Sequence, residues 1–224
     1  MDVFWFRIAK RADQNAGLRG NIERGRLLVM IDRGDYWQCA FLIPKGAAAA
    51  FQEKGIDAIR AEVAAAAPEL DLAELDEISD LHLLSVKLDR LTRWHRPGLL
   101  AIGDAAHAMS PIGGIGINLA IQDAVAAANL LAVPLREGRD LDPLLGRVQK
   151  RRLFPTRIIQ AGQKAAQDRV IGRLLQPGAP ISQAPLLVRT LDRFPLLRRI
   201  PGRVIGLGIR RERVRSPSAD PRRP

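Results

Sequence analysis

One cysteine, one tyrosine and three histidines in 224 residues leave several chemistries without their parts. Cys39 has no partner for an intrachain disulfide and no CxxC neighbour, so neither a disulfide framework nor a cysteine-rich zinc site can be built. It reads as a small buried hydrophobe. His82 and His95 stand at no metal-ligand spacing from each other, and His107, alone among alanines, reads as structural, so no metal is called for. Aromatics make up 4% of the chain, and Phe4, Trp5, Phe6, Tyr36 and Trp37 fit the alternating faces of strands. Long hydrophobic runs are missing too. Stretches such as residues 47–51 and 124–128 are alanine-rich and fall far short of the roughly 20 residues that span a bilayer. Asp2 stands where a signal peptide carries basic residues. A soluble, cytoplasmic chain without a transmembrane helix is expected.

What is abundant is positive charge, 35 Lys and Arg against 24 Asp and Glu, for a formal net +11. Such an excess raises nucleic acid or anionic membrane as partners. The arginines, however, concentrate after Arg147 and above all between Arg189 and Arg223, whereas the first half carries Glu69, Asp71, Glu74, Asp76 and Glu77. In the tail they alternate with leucine and proline rather than with aromatics or a recognition helix. Nucleic acid is therefore disfavoured, and peripheral contact of the tail with a membrane surface stays open as an alternative.

Hydrophobic patterning divides the chain. Residues 3–8, 26–31 and 37–43 are β-prone, and the last two, separated by Arg33, Gly34 and Asp35, read as a hairpin in an antiparallel sheet. Residues 47–67 have helical spacing with Gly55 as a weak point and Pro68 as a stop. Residues 81–88 suggest one more strand. Leu99, Leu100, Ala101 and Ile102 form a short apolar run of the kind buried on both faces in a layered α/β sheet. A buried helix is predicted over residues 117–132 and ended by Pro134, with Asn118, Gln122 and Asn129 on one face. Beyond residue 141 the repeated prolines predict several short helices rather than one long one, followed by a disordered tail at 216–224. The resulting domains are 1–90, a substrate-binding antiparallel sheet; 91–134, part of a cofactor-binding domain; 135–215, helical; and 216–224.

Chemistry concentrates in residues 103–123, GDAAHAMSPIGGIGINLAIQD. Glycines let backbone approach a ligand, and the helix that follows aims its unpaired N–H groups and positive dipole end at whatever sits there, favouring an electron-rich or anionic group. Asp104, after the apolar run, is placed to accept hydrogen bonds from ribityl or ribose hydroxyls, to cap a helix, or to pair with Arg93 or Arg96. This is not a dinucleotide phosphate loop, because Leu119 stands where GxGxxG needs its third glycine.

The same segment resembles the GD motif of class A flavin monooxygenases, the para-hydroxybenzoate hydroxylase-like family, and the approach at residues 93–102 and the tail at 194–201 are similar to that family as well. The resemblance implies an α/β (α+β mixed) chain from the FAD/NAD(P)-binding Rossmann-like class: an antiparallel substrate-domain sheet, one returning strand and helix of the FAD domain, and a helical C-terminal region. It implies FAD as cofactor, with Gly103 and Asp104 at the ribityl chain, Pro111 beside the isoalloxazine, and Gly114, Ile115, Gly116, Ile117 and Asn118 facing its pyrimidine end. It also implies NAD(P)H as co-substrate and O2 as oxidant, with a flavin hydroperoxide hydroxylating a small, usually aromatic, substrate. No residue is assigned a catalytic role.

The family's N-terminal GxGxxG unit, its acidic ribose ligand and its second Asp-Gly element are not found here. Three explanations stand: a truncated gene or misplaced start codon, a fragment that pairs with a separately encoded N-terminal half, or a degenerate chain that binds no flavin.

Overall fold

The computed structural model describes residues 1–23, 25–176, 193–194 and 199–217. The chain falls into two compact units, Met1–Val86 with Ala165–Gln183, and Lys87–Lys164 with Ala184–Pro224.

In the first unit, strands β1 (Asp2–Ala9), β2 (Leu18–Glu23), β3 (Arg26–Asp32), β4 (Tyr36–Ile43) and β5 (His82–Ser85) form one sheet in the order β2-β3-β4-β1-β5. Each neighbouring pair is antiparallel. The hairpin expected across residues 33–35 is β3 to β4. Gly34 turns it at φ +97°, and its N–H donates to Asp32 Oδ1 at 2.8 Å. Period-two alternation sends Phe4, Phe6 and Ile8 of β1 and Trp37, Cys39, Phe41 and Ile43 of β4 to one face, where they form the core with Ile59, Val63 and Ala66. Those three lie on α2 (Ile56–Ala66), so the apolar stripe does cover the sheet. Burial pushes the Cys39 thiol up to about 12.

The helix expected over 47–67 is two helices, α1 (Ala48–Glu53) and α2, because Gly55 adopts φ +82° and interrupts the ladder. Strand β2 gave no sequence signal. Arg19, Gly20 and Asn21 are poor strand formers, and only an edge position, paired with β3 alone, tolerates them.

The second unit carries two short ladders, β6 (Asp89–Arg90) with β9 (His107–Ala108) and β7 (His95–Arg96) with β8 (Leu99–Leu100). The apolar run at 99–102 is thus not a buried parallel strand. Leu99 is 49% exposed, and among the described residues no parallel strand flanks it to cover either face.

Two long helices follow, α3 (Gly116–Arg136) and α4 (Asp142–Ala166). Both correct the proline reading. Pro134 lies inside the last turn of α3, and Pro155 lies inside α4, which is a single helix of 25 residues. A proline removes one ladder bond but need not end a helix whose flanking turns are buried, and Leu145, Val148, Arg152, Thr156 and Ile159 of α4 are all buried. A further helix spans Arg199–Leu207. Pro177, Pro180, Pro185 and Pro195 lie outside the described residues, as do residues 189–192 and 195–198 of the arginine-rich segment and residues 218–224 of the tail expected to be disordered.

One more expectation needs correction. Residues Ile112–Arg136 are long and apolar enough, by length and composition, to cross a membrane. Asn118, Gln122 and Asp123 interrupt the run and hid its length in the sequence. Gln122 and Asp123 are buried and bonded to Arg152 of α4, while only 28% of the apolar window is buried and Ile117 and Ile121 are exposed.

Candidate functional site

The site is built on the N-terminal end of α3. Gly103 opens a 3-10 turn, Gly103–Ala105, at φ +57°, and a Cβ there would stand 3.0 Å from Ala120 Cβ, so only glycine fits between the turn and α3. Its N–H donates to Asp123 Oδ2 at 3.1 Å.

Asp123 is the hub that fixes this turn. Its Oδ2 also faces His107 Nε2 at 2.6 Å, and its Oδ1 accepts from Arg152 Nε at 2.8 Å, with all three side chains fully buried. Burial works to raise the Asp123 pKa. Hydrogen bonds from His107 and Arg152, the His107 charge interaction and the Gly103 N–H outweigh it and hold the carboxyl below the usual carboxylate range. An ionised Asp123 only accepts, so the proton in the 2.6 Å contact sits on His107 Nε2. The imidazole lies against the Trp94 ring, centroids 5.2 Å apart, with His107 Nδ1 and Trp94 Nε1 both shielded and without a hydrogen-bond partner among the described residues. His107 is therefore a packing and hydrogen-bonding residue.

The loop from His107 to α3 is clamped by two glutamines of α4. Gln163 Nε2 donates to Ser110 O at 2.8 Å and Ile112 O at 3.0 Å, while its Oε1 accepts the Ser110 N–H at 3.2 Å. Gln160 Nε2 donates to Asp89 O at 2.8 Å and Ala108 O at 3.0 Å, and its Oε1 accepts from Arg90 Nη1 at 2.8 Å. Side-chain amides replace strand partners here, so an irregular loop is held in one shape.

Between the clamps and α3 the chain turns at Pro111. The Gly114 N–H donates back to Pro111 O at 3.0 Å, and Gly113 and Gly114 take φ +78° and +61°. Gly116 then starts α3, which no side chain caps. The positive dipole end of this 21-residue helix lies directly behind the glycine turn. Pro111, Gly113, Gly114 and Ile117 are exposed, Ile117 by 70%. An uncapped helix start behind an exposed glycine turn with an apolar rim fits the edge of a planar, electron-rich group such as the flavin ring.

Of the eight residues singled out from the sequence, Gly103, Asp104, Pro111, Gly114 and Ile115 lie on or beside these two turns, and Gly116, Ile117 and Asn118 begin α3. Gly103 and Ile115 are buried and hold the turns; Asp104, Pro111 and Gly114 are exposed, Ile117 more so, and Gly116 and Asn118 are partly buried. Asp104 pairs with neither Arg93 nor Arg96 and caps no helix, and has no hydrogen-bond partner among the described residues. That leaves its carboxylate free to accept from a ligand. Sequence reasoning assigned no part to Asp123, Arg152, Gln160 or Gln163. Asp123 alone carried a signal, as the one acid in an otherwise apolar helix face.

The model of the FAD binding domain family matches residues 23–162. The 6-methylpretetramide 4-monooxygenase of Streptomyces rimosus is 34% identical over 225 residues, covering 96% of this chain and 51% of that protein. The chain thus spans about half the length of this relative. Among solved structures, PqsL of Pseudomonas aeruginosa in complex with 2-aminobenzoylacetate superposes with TM-score 0.61 at 22% identity, over 78% of this chain and 48% of that one. HpxO of Klebsiella pneumoniae, complexed with FAD and uric acid, gives TM-score 0.55 at 16% identity, over 92% and 51%. At such identities these two speak for the fold.

Proposed function

Because the chain belongs to the FAD binding domain family of flavin monooxygenases, we propose that it forms the substrate sheet and one wall of the flavin site of an enzyme that hydroxylates a small aromatic substrate, using NAD(P)H and O2. The observation that carries this is the start of α3: a glycine turn with two positive φ angles, exposed, leading into a long helix that no side chain caps.

Bound FAD would supply the redox chemistry, taking electrons from reduced nicotinamide and activating O2. The residues of this chain would hold and tune it. Asp104 would accept hydrogen bonds from ribityl hydroxyls. Pro111 and Ile117 would pack against the ring, and the backbone from Gly114 to Asn118 would face its pyrimidine edge. A helix N-terminus there stabilises developing negative charge by about 0.3–2 kcal/mol. Gln160, Gln163 and the Asp123 hub act one step back, as positioning residues.

In this reading residues up to Val86 serve the substrate, and those from Lys87 to Lys164 serve the flavin. The ADP half of FAD would be held by a segment outside these 224 residues, a proposal supported by the half-length match to the Streptomyces rimosus enzyme. A cytoplasmic location belongs to the same proposal and suits a lone, buried cysteine.

The test is the visible spectrum of the purified chain after incubation with FAD and desalting, beside Asp104→Ala. Flavin absorbance that is retained by the native chain and reduced in Asp104→Ala supports the assignment. Equal retention by both removes Asp104 from the site, and no retention even when the N-terminal half of a relative is supplied in trans would refute flavin binding by this wall.

A further inference from the structure

The solvent face of α4 carries charge of one sign. No acid follows Asp142 in this helix, whereas Arg147, Lys150 and Arg157 are exposed and have no hydrogen-bond or ion-pair partner among the described residues. Each residue of a helix turns about 100° from the last, so these three cations share one stripe with Phe154 and Ile158, which are 55% and 40% exposed. The opposite side of α4 holds the buried Leu145, Val148, Arg152, Thr156 and Ile159, so the stripe is not the core face of the helix.

The segment beside α4 extends this surface. Gln149 Nε2 donates to Thr92 O at 2.9 Å and Gln160 Nε2 to Asp89 O at 2.8 Å, which lays residues 89–92 along the helix. There Arg90 and Leu91, the latter 46% exposed, line a cavity of about 350 Å³ together with Leu153 and Arg157. Asp89 is the one acid in its lining, and its Oδ1 accepts the Arg90 N–H at 2.7 Å. Arg151, also on α4, is matched by Glu212, but Arg90, Arg147, Lys150 and Arg157 have only the Asp89 charge beside them.

Cations interleaved with exposed Phe and Ile on one stripe are the pattern of helices that lie in a membrane interface, where the apolar side chains enter the acyl boundary and the cations stay at anionic headgroups. Nucleic acid would meet the charge but offers no apolar layer to receive Ile158 and Leu91. The exposed face of α3 makes the contrast, because Ile117, Ile121, Ala124 and Ala128 carry no charge to set against an anionic surface.

We propose that this face of the second unit docks on an anionic lipid surface, with Phe154 and Ile158 entering the bilayer interface and Arg90, Arg147, Lys150 and Arg157 at the headgroups. The proposal does not depend on the flavin reading.

Co-sedimentation of the full 224-residue chain with phosphatidylcholine vesicles, with and without phosphatidylserine, tests it. Binding is expected only with phosphatidylserine present, and should weaken steeply as salt rises from about 0.1 to 1 M. Lys150→Ala with Arg157→Ala should weaken it about 25-fold, roughly fivefold for each cation near the surface, whereas Arg222→Ala with Arg223→Ala, an equal loss of charge in the tail, should change it by under about twofold. Phe154→Ser leaves the charge unchanged and should weaken binding about tenfold, and Ile158→Ser should act in the same direction. Both side chains are exposed, so Tm should hold in each. No binding to phosphatidylserine vesicles, a serine variant that binds like the native chain, or a larger loss from the tail pair than from the α4 pair overturns the proposal. So does loss of vesicle binding when the N-terminal half of a relative is bound, which would give this face to a protein partner.

Discussion

Replacing Asp123 by alanine removes the carboxylate to which Arg152, His107 and the Gly103 N–H all bind. Arg152 is fully buried, so its guanidinium would keep its charge with weaker company: Gln122 Oε1 at 3.5 Å, Arg210 O at 3.3 Å and Glu212 Oε1 at 3.6 Å. Breaking a buried pair from one side costs about 3–5 kcal/mol. Glu212 is itself buried but already takes two bonds from Arg151, at 2.6 and 2.8 Å, so it compensates only in part and the loss should fall near the lower figure. For a protein of this size each kcal/mol moves Tm by about 2–4 °C, so Asp123→Ala should lower it by roughly 6–12 °C in scanning calorimetry. The double variant Asp123→Leu with Arg152→Met removes both charges and should recover at least half of that loss, because the penalty lies in the orphaned cation. A fall of under about 2 °C, or a double variant no better than Asp123→Ala, would refute the assignment of Asp123 as the hub.

Three further outcomes follow from the geometry. The Asp123 carboxyl is depressed against the pull of burial by His107, Arg152 and Gly103, and that of Asp2 likewise by Lys45 and the Gly46 N–H. Each therefore contributes stability that is complete above the unfolded carboxylate pKa of about 3.9 and is lost as pH falls through the folded value. Tm should be flat from pH 7 to about 5 and decline below, more shallowly in Asp123→Asn; an unchanged slope in that variant counts against the shift. Gly103→Ala places a methyl 3.0 Å from Ala120 Cβ at φ +57°, and should cost about 1–3 kcal/mol in chemical denaturation, whereas Gly17→Ala, at φ +130° with nothing within 4 Å, shares the backbone strain but not the clash and should cost less. The Cys39 thiol, pushed up to about 12 by burial, should resist iodoacetamide at pH 8 in the native chain and react readily in denaturant, as read by mass spectrometry.

Local rules were enough for the central strands of the first unit. The alternation of Phe4, Phe6 and Ile8, and of Trp37, Cys39, Phe41 and Ile43, fixed both strands and core face, and the glycine turn before α3 could be located from spacing alone. Where the sequence misled, the deciding physics was not local. Pro134 and Pro155 are tolerated because burial of their helices outweighs one missing bond apiece. The run at Leu99 lacks the neighbours that would bury it, and β2 exists only because β3 offers an edge. The positioning residues Gln160, Gln163 and Arg152 lie 37 or more positions beyond the loop they hold, since the nearest, Arg152 to Ile115, already spans α3 and half of α4, and a polar residue in a long amphipathic helix gives no sign of which backbone it will reach.

The claim at the centre is that the turn from Pro111 to Asn118 and the uncapped start of α3 face the flavin ring. Amide hydrogen exchange of the chain with and without saturating FAD addresses it residue by residue. Slowed exchange confined to Gly113 through Asn118 and to the Gly103–Ala105 turn is the expected result. FAD binding that leaves those amides unchanged while protecting others would contradict it.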